Sequence, residues 1–465
     1  MFLLDTKSKS PLYHQLYQQL RAKILNGELR SQTKLPSSRK LSAELRISRN
    51  TVDTTYQQLL AEGYIIGKSR SGYYVETIHN TITPASMESI QRESLSEIPT
   101  VKIKYDFQYG KLDSNSFPFS QWRRLTNECL RDYQEQLLSY NSFVGEIGLR
   151  EEILKYLRDY RNVKCTVDQI LITSGTLHCL NLACQLLKST TSAIAMEDPG
   201  YAGAHSTFTS QGFHVQPIPL NHHGLDIKAL HTSKAKAVYV TPSHQFPTGR
   251  IMSITRRLGL VEWAYEQDTF IIEDDYSGHL RYDVKPISSL QGLAPDKVIY
   301  IGSFSKTLLP SLRVAYMVLP KNLVQQMSKT AEKLVCSVPF LIQKPLELFL
   351  REGHFESHLR KMIRLFKKKH DTLIDALKEN FGDMISVTGM NAGIHLLVQI
   401  KQQNCAQNLV DRATKSGVSI LANDKLWIES ERSPYPNILL GFSGIALEDI
   451  SPAVSLLRKI WLDNE

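Results

Sequence analysis

The chain has 465 residues, 42% hydrophobic and 22% charged, a balance that excludes a disordered or fibrous protein and provides for two or three cores. No apolar run is long enough to span a bilayer, and Met1-Phe2-Leu3-Leu4-Asp5 reaches an acid too soon for a signal peptide, so a cytoplasmic chain with no membrane partner is expected. The net charge of +9 is unevenly placed: residues 1–76 carry twelve basic against six acidic residues, leaving +3 for the other 389. A basic end on a near-neutral body is the footprint of a polyanion-binding module.

In chain order, Leu12, Leu16, Leu20 and Ile24 recur every fourth residue and stop near Asn26-Gly27, which predicts an amphipathic helix. A second helix follows Pro36-Ser37 with Leu41 and Leu45 inward. Ser48 can cap a third, whose stripe Val52, Tyr56, Leu59 and Leu60 faces the core up to Glu62-Gly63, with Arg46-Ile47 as the turn between. That leaves Arg49, Asn50, Thr51 and Asp53 near the exposed N-terminal end, the part of a recognition helix that meets base edges and phosphates. Two short strands, 64–67 and 72–75, flank Lys68-Ser69-Arg70-Ser71, a basic wing suited to phosphate or minor-groove contact. Residues 77–104 hold Ser, Thr, Pro and Glu with few large apolar side chains and read as a linker.

Beyond the linker, apolar runs at 170–173, 193–196, 237–240, 270–272, 298–301 and 314–318 alternate with amphipathic stretches, predicting an α/β domain with a largely parallel sheet. In such sheets functional groups gather at strand ends and helix N-termini. Thr173-Ser174-Gly175-Thr176 leaves one strand and opens the helical run 177–187, a ready phosphate cup. Asp198-Pro199-Gly200-Tyr201 follows another, where Tyr201 either packs or covers a ring. Glu273-Asp274-Asp275-Tyr276 closes a buried strand with acids, which is costly unless something cationic lies nearby. Alternation puts Asp274 and Tyr276 on one face, able to hold a pyridinium N–H and a phenolate oxygen; a metal is the rival reading, but no adjacent His or Cys completes one. Lys306, in Ser303-Phe304-Ser305-Lys306, follows a strand with Arg313 seven residues on. A lysine of lowered pKa can form a Schiff base with an aldehyde while Ser303 and Arg313 hold a phosphate. The six cysteines (Cys129, Cys165, Cys179, Cys184, Cys336, Cys405) form no Cys-x-x-Cys pair, so neither a metal site nor a disulfide framework is expected.

The stretches Gly27-Glu28-Leu29, Leu35-Pro36-Ser37-Ser38-Arg39-Lys40-Leu41, Ser48-Arg49-Asn50-Thr51-Val52 and Leu60-Ala61-Glu62-Gly63-Tyr64 closely resemble the GntR-type winged helix-turn-helix. The order and spacing of the later motifs, with Pro242-Ser243-His244-Gln245-Phe246-Pro247-Thr248-Gly249, resemble the fold-type-I aminotransferase domain throughout 105–465. Together they resemble the MocR subfamily of GntR regulators over essentially the whole chain. The resemblance implies a DNA-binding domain at 1–76, a linker at 77–104 and, at 105–465, a sensor that binds pyridoxal 5'-phosphate and ends in a smaller α+β subdomain. It implies a homodimer, a double-stranded DNA operator touched by Arg39, Arg49, Thr51 and Gly72, and a small-molecule effector that is an amine or pyridoxal phosphate itself.

By the same resemblance Lys306 links the cofactor aldehyde, Asp274 pairs with the pyridine nitrogen (Asp275 being the alternative), Tyr276 bonds the ring oxygen and Tyr201 stacks on the ring. Ser174, Gly175, Thr176, Ser303 and Arg313 bind the phosphate. Two departures bear on activity: Phe246 stands where working aminotransferases carry Asn, and no arginine occurs in 437–442, where they hold a substrate carboxylate. Arg432, just upstream, is the one nearby replacement. A bidentate arginine clamp is hard to replace by a neutral residue, so a regulator with at most a vestigial transamination half-reaction is expected over an aminotransferase with an accessory DNA-binding domain.

Overall fold

The computed structural model describes residues 2–77, 102–113, 116–221, 223–282, 287–331, 335–390, 392–402, 405–422, 426–428 and 435–462. The chain divides into two units, Met1–Pro99 and Thr100–Glu465. Most of the expected linker lies outside the described residues.

In the first unit, helices α1 (Leu12–Leu25), α2 (Ser38–Leu45) and α3 (Arg49–Ala61) precede a hairpin of β1 (Ile65–Lys68) and β2 (Gly72–Val75). Ser37 and Ser48 cap α2 and α3 by accepting from the Lys40 and Thr51 N–H groups at 3.2 and 3.1 Å. Between the helices Arg46 takes a left-handed conformation at φ 55°, which turns the chain. Leu16, Leu20, Ile24, Leu41, Val52, Tyr56, Leu59, Ile65 and Val75 form one core. Two buried hydroxyls pin α3 in it: Tyr56 donates to the Pro36 carbonyl at 2.9 Å and Thr55 to the Tyr13 carbonyl at 3.0 Å. Leu60, expected in the buried stripe, is exposed. At about 100° per residue it stands some 80° round from Val52, so Thr55 on the other flank takes the inward place. The first wing strand also starts one residue later than expected, because Lys68 pairs with Gly72 and Ile65 with Val75.

The second unit opens with a short strand β3 (Tyr105–Asp106) and then builds an eight-stranded sheet from β4 (Ile170–Thr173), β5 (Ala193–Asp198), β6 (His214–Asn221), β7 (Gly224–Leu225), β8 (Ala237–Val240), β9 (Phe270–Asp275), β10 (Val298–Ser303) and β11 (Ala315–Val318). Their order is β4-β11-β10-β9-β8-β5-β6-β7. The five strands from β10 to β6 run parallel, and β11 is antiparallel to both neighbours. β4, β5, β8, β9 and β10 therefore all end at the same edge, and every chemical motif of the body sits there. β6 escapes sequence reading because Pro217 and Pro219 interrupt its alternation; it pairs along its length only with β5, its other neighbour β7 being two residues long, so the missing N–H groups cost little.

A smaller subdomain follows, with β12 (Ile385–Thr388), β13 (His395–Ile400), β15 (Leu421–Ala422) and β16 (Asn437–Gly441) in the antiparallel order β12-β13-β16-β15, backed by helices His354–Phe381 and Ile450–Leu462. β14 (Val418–Ser419) pairs in parallel with β3, which straps the start of the unit to its end.

One buried ion pair ties the helix Ile147–Arg161 to the sheet. Arg161, its last residue, lies 2.6 Å from Asp275 at the end of β9, with both side chains at most 2% exposed. The remaining guanidinium N–H groups reach Ser243 Oγ, at 2.8 Å, and the Gly278 and Ile287 carbonyls. Removing one partner strands a buried charge, so Arg161→Met should lower unfolding stability by about 3–5 kcal/mol. Urea titration checks this, and the double variant with Asp275→Leu should recover most of the loss.

Candidate functional site

At the shared strand edge Tyr109, Thr176, Tyr201, Tyr239, Thr241, Phe246, Asp274, Tyr276 and Lys306 line one cavity. Strand β9 delivers two consecutive acids to different fates. Asp275 turns to Arg161 and accepts the Tyr300 hydroxyl at 2.6 Å. Burial alone would raise its pKa, but the Arg161 charge overrides this and holds the carboxyl below its ordinary range. Asp274 faces the cavity. Its Oδ2 accepts the Tyr239 hydroxyl at 2.8 Å, and its Oδ1 has no hydrogen-bond partner. Burial pushes its pKa up to about 7. A buried carboxylate oxygen left without a donor, on a residue that lines the cavity, suits a cationic N–H from a ligand.

Lys306 enters from the loop after β10, and its Nζ stands 4.1 Å from the centroid of the Tyr109 ring. Burial lowers its pKa to about 8, with the Asp274 charge acting against the shift. A much larger fraction is therefore unprotonated near neutrality than for a solvated lysine. His358 fixes this loop through a 2.8 Å bond between its Nε2 and the Thr307 carbonyl.

The expected phosphate cup is assembled across two loops. Gly175 sits at φ +113°, a conformation that favours glycine, and a Cβ there would come 2.5 Å from Arg313 Nη2 and displace the guanidinium. Arg313 Nη2 is 3.5 Å from the Ser174 carbonyl, and Thr176 begins the helix Thr176–Leu187. Ser303 Oγ accepts the Ser305 N–H at 3.1 Å, leaving its own proton to give. Ser174 Oγ lies 3.1 Å from His178 Nδ1, a neighbour that sequence reading passed over.

Tyr201 and Tyr276 both reach the cavity, but the Tyr276 hydroxyl already donates to the His244 carbonyl at 2.7 Å and lies 2.8 Å from His244 Nδ1. Phe246, at the position of the aminotransferase asparagine, is buried against the cavity. Its turn is held by Thr241, whose Oγ1 accepts the Phe246 N–H at 3.1 Å and donates to Glu197 at 2.8 Å. Tyr109, Tyr239, Thr241 and Arg161 carried no sequence motif, and His244, within the Pro242–Gly249 stretch, was given no role of its own; alternation puts Tyr239 and Thr241 on one face of the β8 strand and its extension. The residues present thus fit pyridoxal phosphate: a lysine of lowered pKa, an orphan carboxylate oxygen, aromatic walls and a glycine-arginine anion cup. Arg432 lies outside the described residues.

On the first unit Arg39, Arg49 and Gly72 are exposed, and Arg49 and Thr51 stand in the first turn of α3. Arg49 makes only an exposed contact with Asp53 at 3.5 Å, which leaves it available to a phosphate or base. The Thr51 hydroxyl lies 2.8 Å from Ser48 Oγ.

The two acids generate a pH prediction. Asp274 has a folded pKa of about 7 against an ordinary 3.8. A raised folded pKa contributes stability that is fully present below about pH 4 and is lost as pH rises through about 7. In cofactor-free protein, Asp274→Asn should therefore gain stability relative to wild type between about pH 5 and about pH 8 in urea unfolding. A constant difference across that range would contradict the burial of this carboxyl.

Comparison with known proteins agrees with both units. Residues 105–430 match the family model of aminotransferase class I and II, and residues 12–75 match that of bacterial regulatory proteins, gntR family. The chain is 36% identical over 455 residues to the uncharacterized HTH-type transcriptional regulator YdeL of Bacillus subtilis (strain 168), covering 97% of each chain. It is 31% identical over 478 residues to the probable rhizopine catabolism regulatory protein MocR of Rhizobium meliloti, covering 100% of this chain and 97% of that one. A crystal structure of an archaeal alanine:glyoxylate aminotransferase superimposes with a TM-score of 0.72 at 22% identity, over 79% of this chain and 92% of its own. The chain therefore belongs to the MocR subfamily of GntR transcription regulators, in which a DNA-binding helix-turn-helix is joined to a fold-type-I aminotransferase domain that binds pyridoxal phosphate.

Proposed function

We propose that this regulator, acting as a cytoplasmic homodimer on a duplex DNA operator, reads the occupancy of the Lys306 cavity. The observation that carries the proposal is the meeting of Lys306 with the unpaired Asp274 Oδ1 in one aromatic-walled cavity. When bound, pyridoxal phosphate supplies an aldehyde that condenses reversibly with primary amines. Lys306 offers the protein's own amine, kept partly unprotonated by burial. Asp274 holds the ring-nitrogen proton, and Tyr239 fixes that carboxylate through its other oxygen. Ser174, Gly175, Thr176, Ser303 and Arg313 take the phosphate, which a helix N-terminus and a guanidinium together favour. Tyr201 would cover the ring, and Tyr276, whose hydroxyl is bonded to His244, would bond the ring oxygen.

The effector is an amine or the cofactor itself, and it regulates only in so far as it binds the DNA-competent and DNA-incompetent conformations with different affinity. Arg39, Arg49, Thr51 and Gly72 make the DNA contacts. Sustained transamination is not expected. Phe246 supplies no amide to the cofactor ring, and β16 supplies no guanidinium to a substrate carboxylate. Steady-state turnover with an amino donor and a keto acid distinguishes the two: a sensor gives at most one half-reaction per cofactor.

Two substitutions test the assignment. Lys306→Ala should abolish the borohydride-trappable near-visible band that the wild type retains after dialysis, with circular dichroism and cofactor-free DNA affinity unchanged. Arg49→Ala should weaken binding to duplex DNA by about 1–3 kcal/mol, or lower the salt slope by about one, while cofactor retention stays at the wild-type level. Fluorescence anisotropy across a salt series reads both, and a fall in cofactor retention would contradict the separation of the two roles.

A further inference from the structure

Lys306 Nζ forms no hydrogen bond or ion pair among the described residues; what it meets is the face of Tyr109, 4.1 Å away at the ring centroid. Asp274, the one acid lining the same cavity, is left with Oδ1 unpartnered while its Oδ2 accepts the Tyr239 hydroxyl. Tyr109 is held in place by backbone and by rings. It follows β3 on a segment that lies close against β16: the Gly441 N–H donates to the Phe107 carbonyl at 2.8 Å, and a Cβ at 441 would come 2.8 Å from Tyr109 Cα. Its ring packs 5.1 Å from Phe246 and stands edge-on to His395, also at 5.1 Å. The next residue, Gly110, takes φ +89°, and a Cβ there would displace Lys306 Nζ.

We infer that Tyr109 is a positioning residue for the cofactor lysine: its ring face, in place of a carboxylate, keeps the Lys306 ammonium in the cavity, so that Asp274 stays free for the cofactor's ring nitrogen. The inference rests on the reading of Lys306 as the cofactor lysine and adds a residue to it. An ion pair between Lys306 and Asp274 would occupy both groups that the cofactor needs and would hold the proton on the amine. A ring face attracts a cation more weakly and accepts no proton. The ammonium therefore loses its proton to solvent, the neutral amine attacks the aldehyde carbon, and the C=N bond forms as one water leaves, with the carboxylate still unoccupied. Asp274 and Arg313 act on Nζ in opposite directions. His395 on β13 is neutral, its pKa lowered to about 4 by burial, and burial keeps the Tyr201, Tyr239 and Tyr276 hydroxyls protonated. All six groups are common to every variant below.

Full-length, cofactor-free protein is labelled with acetic anhydride from about pH 6 to about pH 10, and Lys306 is read by peptide mass spectrometry against exposed lysines of the same chain. Only the neutral amine reacts, so the pH of half-maximal labelling reports how firmly Nζ holds its proton. Tyr109→Phe, which keeps the ring face, should match the wild type. Tyr109→Leu, and a trifluorinated phenylalanine at position 109 that keeps the ring's shape but depletes its negative face, should reach half-maximal labelling at a pH lower by about 0.5–1, a roughly three- to tenfold gain near neutrality. If Tyr109→Leu does not fold, the fluorinated ring decides. A profile in the fluorinated variant that stays put or moves up overturns the inference, and so does a shift in Tyr109→Phe, which would assign the effect to the hydroxyl. Pyridoxal phosphate is then added, and growth of the near-visible band near neutrality should quicken in the shifted variants by the same factor. A wild type that captures no cofactor overturns the reading of Lys306 and this inference with it, whereas capture without a labelling shift overturns the inference alone.

Discussion

The site depends on the buried ion pair between Arg161 and Asp275. Two adjacent carboxyls end β9 inside the protein, and two unneutralised charges there would repel one another in a medium that screens poorly. Arg161 fixes one of them, its Nε and the Tyr300 hydroxyl both donating to the same carboxylate oxygen. Asp274 can then be held by a single tyrosine, with one oxygen free and a pKa near neutrality. The asymmetry separates the two: one acid holds the helix Ile147–Arg161 against the sheet, the other lines the cavity with one oxygen unbonded.

The remaining parts follow from where parallel strands end. β4, β9 and β10 release their loops at one edge, so residues distant in the chain meet there: Ser174 with Arg313, 139 positions on, and Asp274 with Lys306. Arg313 sits in the αL region at φ 51° and Gly175 at φ +113°, a backbone conformation that glycine adopts without strain. An anion arriving there meets a helix N-terminus and a guanidinium that the fold has already oriented, which lowers the ordering cost of binding.

The rest of the cavity's surroundings is largely apolar. Phe246 lines it, Leu439 clusters with Phe246 and Tyr276, and burial keeps His244 and His395 neutral. Retention of a cofactor needs the lysine, the acid and the phosphate cup. Turnover needs in addition a grip on substrate that strengthens at the transition state. Lys306 and Asp274 line the cavity and Arg313 stands beside Ser174, whereas β16 carries no arginine.

Periodicity and local chemistry settled much of this in advance. Apolar spacing every fourth residue marked α1, Ser37 and Ser48 announced the helix starts, and the apolar runs before Ser174, Asp274 and Lys306 located the strands that carry them, because each signal depends only on neighbours along the chain. Leu60 went astray because a four-residue step drifts off a 3.6-residue helix, and β6 because its prolines break the pattern that marks a strand. Arg161, Tyr239, Tyr109 and the Leu397–Leu439 pair belong to a different class. Their partners lie from 35 to about 200 residues away, and nothing in the adjoining residues distinguishes them from ordinary core. The sequence by itself determined which elements form and which chemical groups stand at their ends. Only the tertiary structure decided which acid is neutralised and which oxygen is left without a donor, since those outcomes depend on charges and surfaces that meet solely when the sheet has closed.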